Sequence, residues 1–221
     1  FRSKGVITVA TGTYVPFEYR DDDDNIVGFD IDLAQYIADK LGVDMEVTDM
    51  EFQSIVPSIQ NGEYDFSIAA MYKTDERCEV VDMSKSYCDS GMILAVKEDS
   101  EYADTVKSLA DCDGLKVAVK EGATSYNVAQ SFLDENPDVS YEIAEDHVVA
   151  GFVANGFGIA VAPDIPIIHS LNLKVLPLVS PTWQRNFYMA TLKDAYHPPV
   201  VDIFKQFVID QTRGELDYRT I

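Results

Sequence analysis

The chain holds 221 residues, 47% of them apolar and 11% aromatic, enough for a large buried core and too apolar for a disordered protein. A formal charge of −21 sets it against phosphate backbones and anionic lipid, so nucleic acid is not an expected partner and a solvated acidic surface is the ordinary reading. Apolar runs such as Ile159-Ala160-Val161-Ala162 last a handful of residues, where a membrane-spanning helix needs roughly 20.

Phe1-Arg2-Ser3-Lys4 leads straight into an apolar segment over 6–10 that reads as a buried strand, and a removed signal peptide is the expectation. A Gly/Pro-marked loop covers 11–16. The helix after it has Asp30 as its expected N-cap, Leu33, Ile37 and Leu41 four apart on one face, and Gly42 as its stop. A strand is predicted near 45–47. A helix then starts at about Ser54, carries Ile55 and Ile59 on one face and ends at Asn61-Gly62, before a strand over 66–71. Another apolar strand, Gly91 to Lys97, leads into polar residues 98–104, which have the composition of a linker.

Beyond that stretch the pattern restarts. A strand over 115–119 meets a turn at Gly122, and a helix carries Val128 and Phe132. A strand near 141–143, a helix over 146–155 stopped by Gly156, and strands over 158–162, 173–178 and 187–191 follow. The last helix is predicted to start at Pro198-Pro199 and to bury Val200, Phe204 and Phe207. The same β-α-β-α-β rhythm thus occurs twice, with crossings expected near 91–98 and 183–189. The expected organisation is α/β, with residues 1–93 and 188–221 in one lobe and 94–187 in the other. Two crossings make a hinge, and a hinge between α/β lobes places a cleft at the carboxyl ends of their strands.

Few residues point to chemistry. Cys78, Cys88 and Cys112 are too few and too scattered for a zinc site; one disulfide with a free thiol and three free thiols stand as equal alternatives. Asp21-Asp22-Asp23-Asp24 lacks the alternating ligand spacing of a calcium loop and reads as an exposed turn. His147, His169 and His197 are scattered and read as surface or packing residues. There is no Gly-x-Ser-x-Gly, no His-Glu-x-x-His and no phosphate loop. No catalytic residue, cofactor or metal is therefore expected.

Several segments carry a family resemblance: Tyr14-Val15-Pro16-Phe17-Glu18-Tyr19, Gly28-Phe29-Asp30-Ile31-Asp32-Leu33, residues 52–59 and 65–71, Thr74-Asp75-Glu76-Arg77, Ser84-Lys85-Ser86-Tyr87 and Lys120-Glu121-Gly122-Ala123-Thr124. In this order and spacing, over residues 6–130, they resemble the polar-amino-acid solute-binding proteins of ABC importers. The resemblance implies a two-lobed periplasmic-binding-protein type 2 fold, each lobe a mixed sheet flanked by helices. It also implies a monomer that closes over a small carboxylate, an amino acid above all, and delivers it to a membrane permease without altering it. Such proteins are periplasmic or extracellular, some of them lipid-anchored.

The resemblance assigns roles. Arg77 becomes the carboxylate clamp, since a guanidinium fork matches a carboxylate bidentately; by local sequence alone a surface arginine paired with Asp75 or Glu76 is the plainer reading. Tyr14 and Phe52 stand where family members hold the ligand side chain between aromatic faces, although each residue type also suits a core. Ala70 and Tyr72 match positions that give a backbone carbonyl to the ligand amine and a hydroxyl to its carboxylate. Family members often have Gly and Ser or Thr there, and the bulkier Tyr72 alters the pocket or places its hydroxyl further out. Ala123 and Thr124 open a helix whose N–H groups favour a carboxylate, with simple N-capping by Thr124 or Ser125 as the plainer reading.

Past about residue 145 the resemblance shifts. Residues 148–163 and 185–207 look like the effector-binding domain of LysR-type regulators, which has the same two-lobed fold. The aspartate that accepts the ligand ammonium in amino-acid binders is offset here: the strand ends Ala162-Pro163-Asp164, and Asp164 either takes that role or caps the next helix. Two other functions compete with transport. One is a ligand-sensing domain of a receptor or LysR-type regulator; the other is an enzyme resembling cyclohexadienyl dehydratases, which share the fold.

Overall fold

Among the described residues, one cluster of buried side chains is built around Leu94, Val117 and Val161 and another around Ala10, Ile55 and Met71; they share no residue, and the chain divides with them. The structure, a computed structural model, describes residues 5–132, 141–178 and 184–194. One unit holds the described residues up to Asp89 and from Asn186; the other runs Ser90–Arg185. These divisions fall four residues ahead of the expected 93/94 and two ahead of 187/188. The polar stretch 98–104 is not the linker its composition suggested: it lies inside the second unit, where Ala103 of a short helix is buried in the core. The helix expected from Pro198, with Phe204 and Phe207, lies outside the described residues, as does Trp183.

In the first unit the order is β1 (Val6–Thr11), β2 (Tyr19–Arg20), β3 (Ile26–Val27), α1 (Phe29–Leu41), β4 (Asp44–Asp49), α2 (Phe52–Gln60), β5 (Phe66–Ser67), α3 (Asp75–Val80) and β6 (Val81–Met83). The second unit follows with β7 (Cys88–Lys97), α4 (Tyr102–Thr105), a 3-10 turn (Leu109–Cys112), β8 (Val117–Lys120), α5 (Thr124–Phe132), β9 (Tyr141–Ile143), α6 (Asp146–Ala154), β10 (Ile159–Pro163), α7 (Pro166–His169) and β11 (Leu173–Pro177). The chain returns through β12 (Gln184–Phe187) to β13 (Ala190–Leu192). β7 begins before the unit boundary and β12 ends after it, so both crossings occur within strands.

The first sheet has the order β4-β1-β5-β13-β6, with β1 parallel to β4 and β5 and β13 antiparallel to both its neighbours. β4 is its edge, and Asp44-Met45-Glu46-Val47-Thr48-Asp49 alternates exposed and half-buried side chains, as a strand covered on one face must. The second sheet has the order β11-β7-β10-β8-β9, and β12 also pairs with β7. β8 and β10 are buried along their whole length, which matches their near-continuous apolar sequence.

Local chemistry sets several ends differently from expectation. α1 starts two residues early, at Phe29, because its N-cap is Gly28 and not Asp30; Gly28 has φ 124°, and a Cβ there would stand 2.4 Å from the Phe17 carbonyl oxygen. The strand expected over 66–71 stops at Ser67, since Ala70 turns into the left-handed region at φ 43°. The strand expected over 187–191 is two strands, interrupted where the Tyr188 N–H donates to the Met71 carbonyl at 2.8 Å. The aspartate run is an exposed turn between β2 and β3, closed by Asp21 accepting from the backbone N–H groups of Asp23 and Asn25. All three cysteines are free thiols, which settles the alternative left open above. Among the described residues no helix is long and apolar enough to cross a membrane, and no group of three His, Cys, Asp or Glu side chains could hold a metal ion.

Candidate functional site

In the first unit the expected residues gather at the carboxyl ends of β1 and β5. Arg77 sits in the short helix α3, whose start is capped by the Thr74 hydroxyl accepting from the Arg77 N–H at 3.2 Å. Its guanidinium lies 5.3 Å from the centroid of the Phe52 ring and donates to the Tyr72 carbonyl at 2.8 Å. Phe52 is the first residue of α2. So Arg77 meets both Phe52 and Tyr72.

Tyr14 joins them through an aromatic cluster. Its ring stacks on Phe17 with centroids 5.4 Å apart, and Phe187 meets Tyr14, Phe17 and Tyr72 at 6.1, 4.9 and 5.3 Å. Phe187, fully buried, is the hub of this cluster. The Tyr14 loop is closed by paired backbone hydrogen bonds between Tyr14 and Glu18 and contains a cis peptide before Pro16.

Ala70 is held from beneath. Its N–H donates to the Asp30 carboxylate at 2.8 Å, and the Tyr87 hydroxyl donates to the same oxygen at 2.7 Å. Asp30 is fully buried. Burial pushes its carboxyl up to about 6, against the hydrogen bonds from Tyr87, Ala70 and Glu18, which favour the charged form. Burial likewise raises the Tyr87 hydroxyl well above its ordinary value, with the Asp30 charge adding to it.

In the second unit Ala123 and Thr124 stand where expected, at the start of α5, just past Gly122 with φ 65°. The hydroxyls of Thr124 and Ser125 are enclosed and have no hydrogen-bond partner among the described residues, so neither forms the plain N-cap considered above. Lys120, the last residue of β8, is buried and pairs with Asp146 at 3.5 Å and Glu145 at 3.9 Å at the start of α6. A buried lysine needs such partners to remain charged.

Asp164 follows the end of β10 but does not cap the next helix. α7 starts at Pro166 with Ile165 as N-cap and no side-chain capping bond. The Asp164 carboxylate instead meets His169 Nε2 at 2.6 Å, so His169 is more than a lone surface residue.

The sequence points to Asp30 only as a helix cap and gives no functional role to Glu18, Tyr87, Phe187 or Lys120. Gly28 was the available signal for Asp30: a glycine opening a helix brings the next turn against neighbouring backbone and buries what it carries.

The model of the bacterial extracellular solute-binding proteins, family 3, matches residues 6–208. The chain belongs to that family. The match runs across residue 145, where the resemblance had divided, and takes in the stretches that look LysR-like. Among relatives, the arginine-binding extracellular protein ArtP of Bacillus subtilis (strain 168) is 32% identical over 168 residues, which cover 70% of this chain and 64% of that protein. The chain spans between about half and two-thirds of the length of the curated relatives it matches.

Among solved structures, the substrate-binding protein of an amino acid ABC transporter superposes with a TM-score of 0.80 at 30% identity, covering 94% of this chain and 93% of that one. An ancestral amino acid-binding protein, a precursor of cyclohexadienyl dehydratase, gives 0.81 at 28% identity, with 97% and 92% covered. This solute-binding chain thus has the type 2 periplasmic-binding-protein fold expected of it. Its family is one of extracellular binding proteins and not of enzymes, although one neighbour stands at the origin of an enzyme lineage.

Proposed function

We propose that the chain binds a free amino acid outside the cytoplasm and delivers it to the permease of an ABC importer. The observation that carries the reading is the pre-orientation of Arg77, set by the Phe52 ring and the Tyr72 carbonyl. A planar donor fork already held in place grips a carboxylate with little further loss of freedom. Tyr14 and Phe52 then flank the ligand side chain, and the Ala70 carbonyl takes the amine with Tyr72 beside it. Ala123 and Thr124, at the start of α5, are assigned to the carboxylate, which the positive end of a helix favours. Asp164 is the second acceptor for the amine, in competition with His169. The finer expectations go with this reading: a monomer, periplasmic or extracellular, free or tethered by a lipid.

A thermal-shift screen of amino acids, each beside its deaminated and decarboxylated analogues, tests the reading. A ligand present at about 100 times its Kd stabilises by about 2.7 kcal/mol, a shift of roughly 5–10 °C for a chain of this size. Arg77→Ala is expected to lose most of that shift. An unchanged shift in the variant removes Arg77 from the clamp.

A further inference from the structure

We propose that Asp30 is the positioning residue of the amine seat: from the buried first turn of α1 it holds the Ala70 peptide in place, and through its charge it makes amino-acid binding compete with a proton. The inference rests on the amino-acid reading above and deepens it.

The geometry is a closed triangle. Asp30 Oδ2 accepts from the Ala70 N–H at 2.8 Å and from the Tyr87 hydroxyl at 2.7 Å, and the Ala70 nitrogen lies 3.2 Å from that hydroxyl. Ala70 needs such a hold. Its φ of 43° lies in the left-handed region that residues with a Cβ seldom occupy. The proposed amine acceptor is the carbonyl of that same residue, one peptide plane further on, so the carboxylate that anchors the Ala70 N–H helps to set where the seat points.

Charge supplies the second half. The titratable groups that face Asp30 are Glu18 from the loop before β2, and Tyr87 and Cys88 from the start of β7. None is a cation, and no ion pair among the described residues reaches Asp30. A buried carboxylate with no cation of its own favours an ammonium arriving at the neighbouring carbonyl. By reciprocity, the bound ammonium favours the charged carboxylate, so ligand and proton exclude one another. With the Asp30 carboxyl pushed up to about 6, this competition falls within an accessible pH range. Below that value the carboxyl is neutral, and affinity falls about tenfold between pH 7 and pH 5.

Calorimetric titration of the whole chain with the twenty amino acids and cystine, from pH 5 to 8, tests this. For the tightest of these probes, wild type is expected to lose affinity about tenfold on going from pH 7 to pH 5. Asp30→Asn is expected to bind about tenfold more weakly at pH 7 and to show a flat profile. Tyr87→Phe removes a hydrogen bond that favours the charged carboxyl, so its loss of affinity should set in at higher pH than in wild type; this variant decides the matter if the asparagine one does not fold. A pH profile identical in wild type and both variants overturns the inference and leaves the amino-acid reading standing. Failure of wild type to bind any probe at pH 7 overturns that reading, and the inference falls with it.

Discussion

The carboxyl of Asp30 opposes folding at neutral pH. Its folded value of about 6 lies above the ordinary 3.8, so between those two values the folded chain holds a proton that the unfolded chain has released. The cost is absent below the lower value, grows as pH rises between the two, and reaches roughly 3 kcal/mol above pH 6. Urea unfolding of wild type and Asp30→Asn is expected to show wild type losing stability relative to the variant as pH rises from 4 to 6. A difference that stays constant with pH would mean the buried group does not titrate there. At this scale the reading of the sequence was uneven. Arg77 and Phe52 were legible through the company they keep, and the structure puts them face to face. Phe187 was not, because an aromatic residue in a strand looks like any core residue until the rings it meets are known. Asp30 reads as a cap in the sequence because an acidic residue near a helix start is common. What distinguishes it is burial, which depends on Phe17 and Tyr87, far away in the chain.

Among elements, α1 shows how one backbone atom can decide a helix's place. A methyl group at Gly28 would meet the Phe17 carbonyl oxygen at 2.4 Å and the Pro16 carbonyl oxygen at 2.8 Å. The Asp30 N–H donates to that Phe17 carbonyl at 2.8 Å, so the helix cannot simply back away. Gly28→Ala is expected to lose roughly 2–4 kcal/mol of stability in urea unfolding, from the clash and the strained φ together. The same change should weaken ligand binding, because Tyr14 lies in the displaced loop. Helices α1, α2 and α5 were legible as elements because apolar residues recur at helical spacing. The ends of β5, β12 and β13 were not. They are set by which strand lies alongside, and local residue preferences carry little of that information.

For the whole molecule, the formal charge of −21 acts on encounter more than on fold. A cationic probe such as arginine is expected to associate several-fold more slowly as ionic strength rises from about 0.01 to 0.15 M, because screening shortens the reach of the field. A neutral probe such as glutamine should change much less. Stopped-flow measurements of both rates check this, and equal salt dependence would show that the field does not steer the ligand. The two-unit plan was legible in the doubled rhythm of strands and helices. The second crossing, expected near 183–189, falls at 185/186; the first, expected near 91–98, falls just ahead of it at 89/90, because β7 passes through that boundary without marking it.

The strand order carries a consequence for how the molecule is made. β13 lies between β5 and β6, and the Met189 N–H donates to the Ser84 hydroxyl 105 positions earlier. A nascent chain that has emerged only as far as Asp89 therefore has a slot in its sheet, with β5 and β6 each lacking a neighbour. The whole of Ser90–Arg185 must be synthesised before the filler arrives. Maturation of the first unit thus waits on the ribosome finishing the second, and a product truncated between them exposes unpaired strand edges to aggregation and proteolysis.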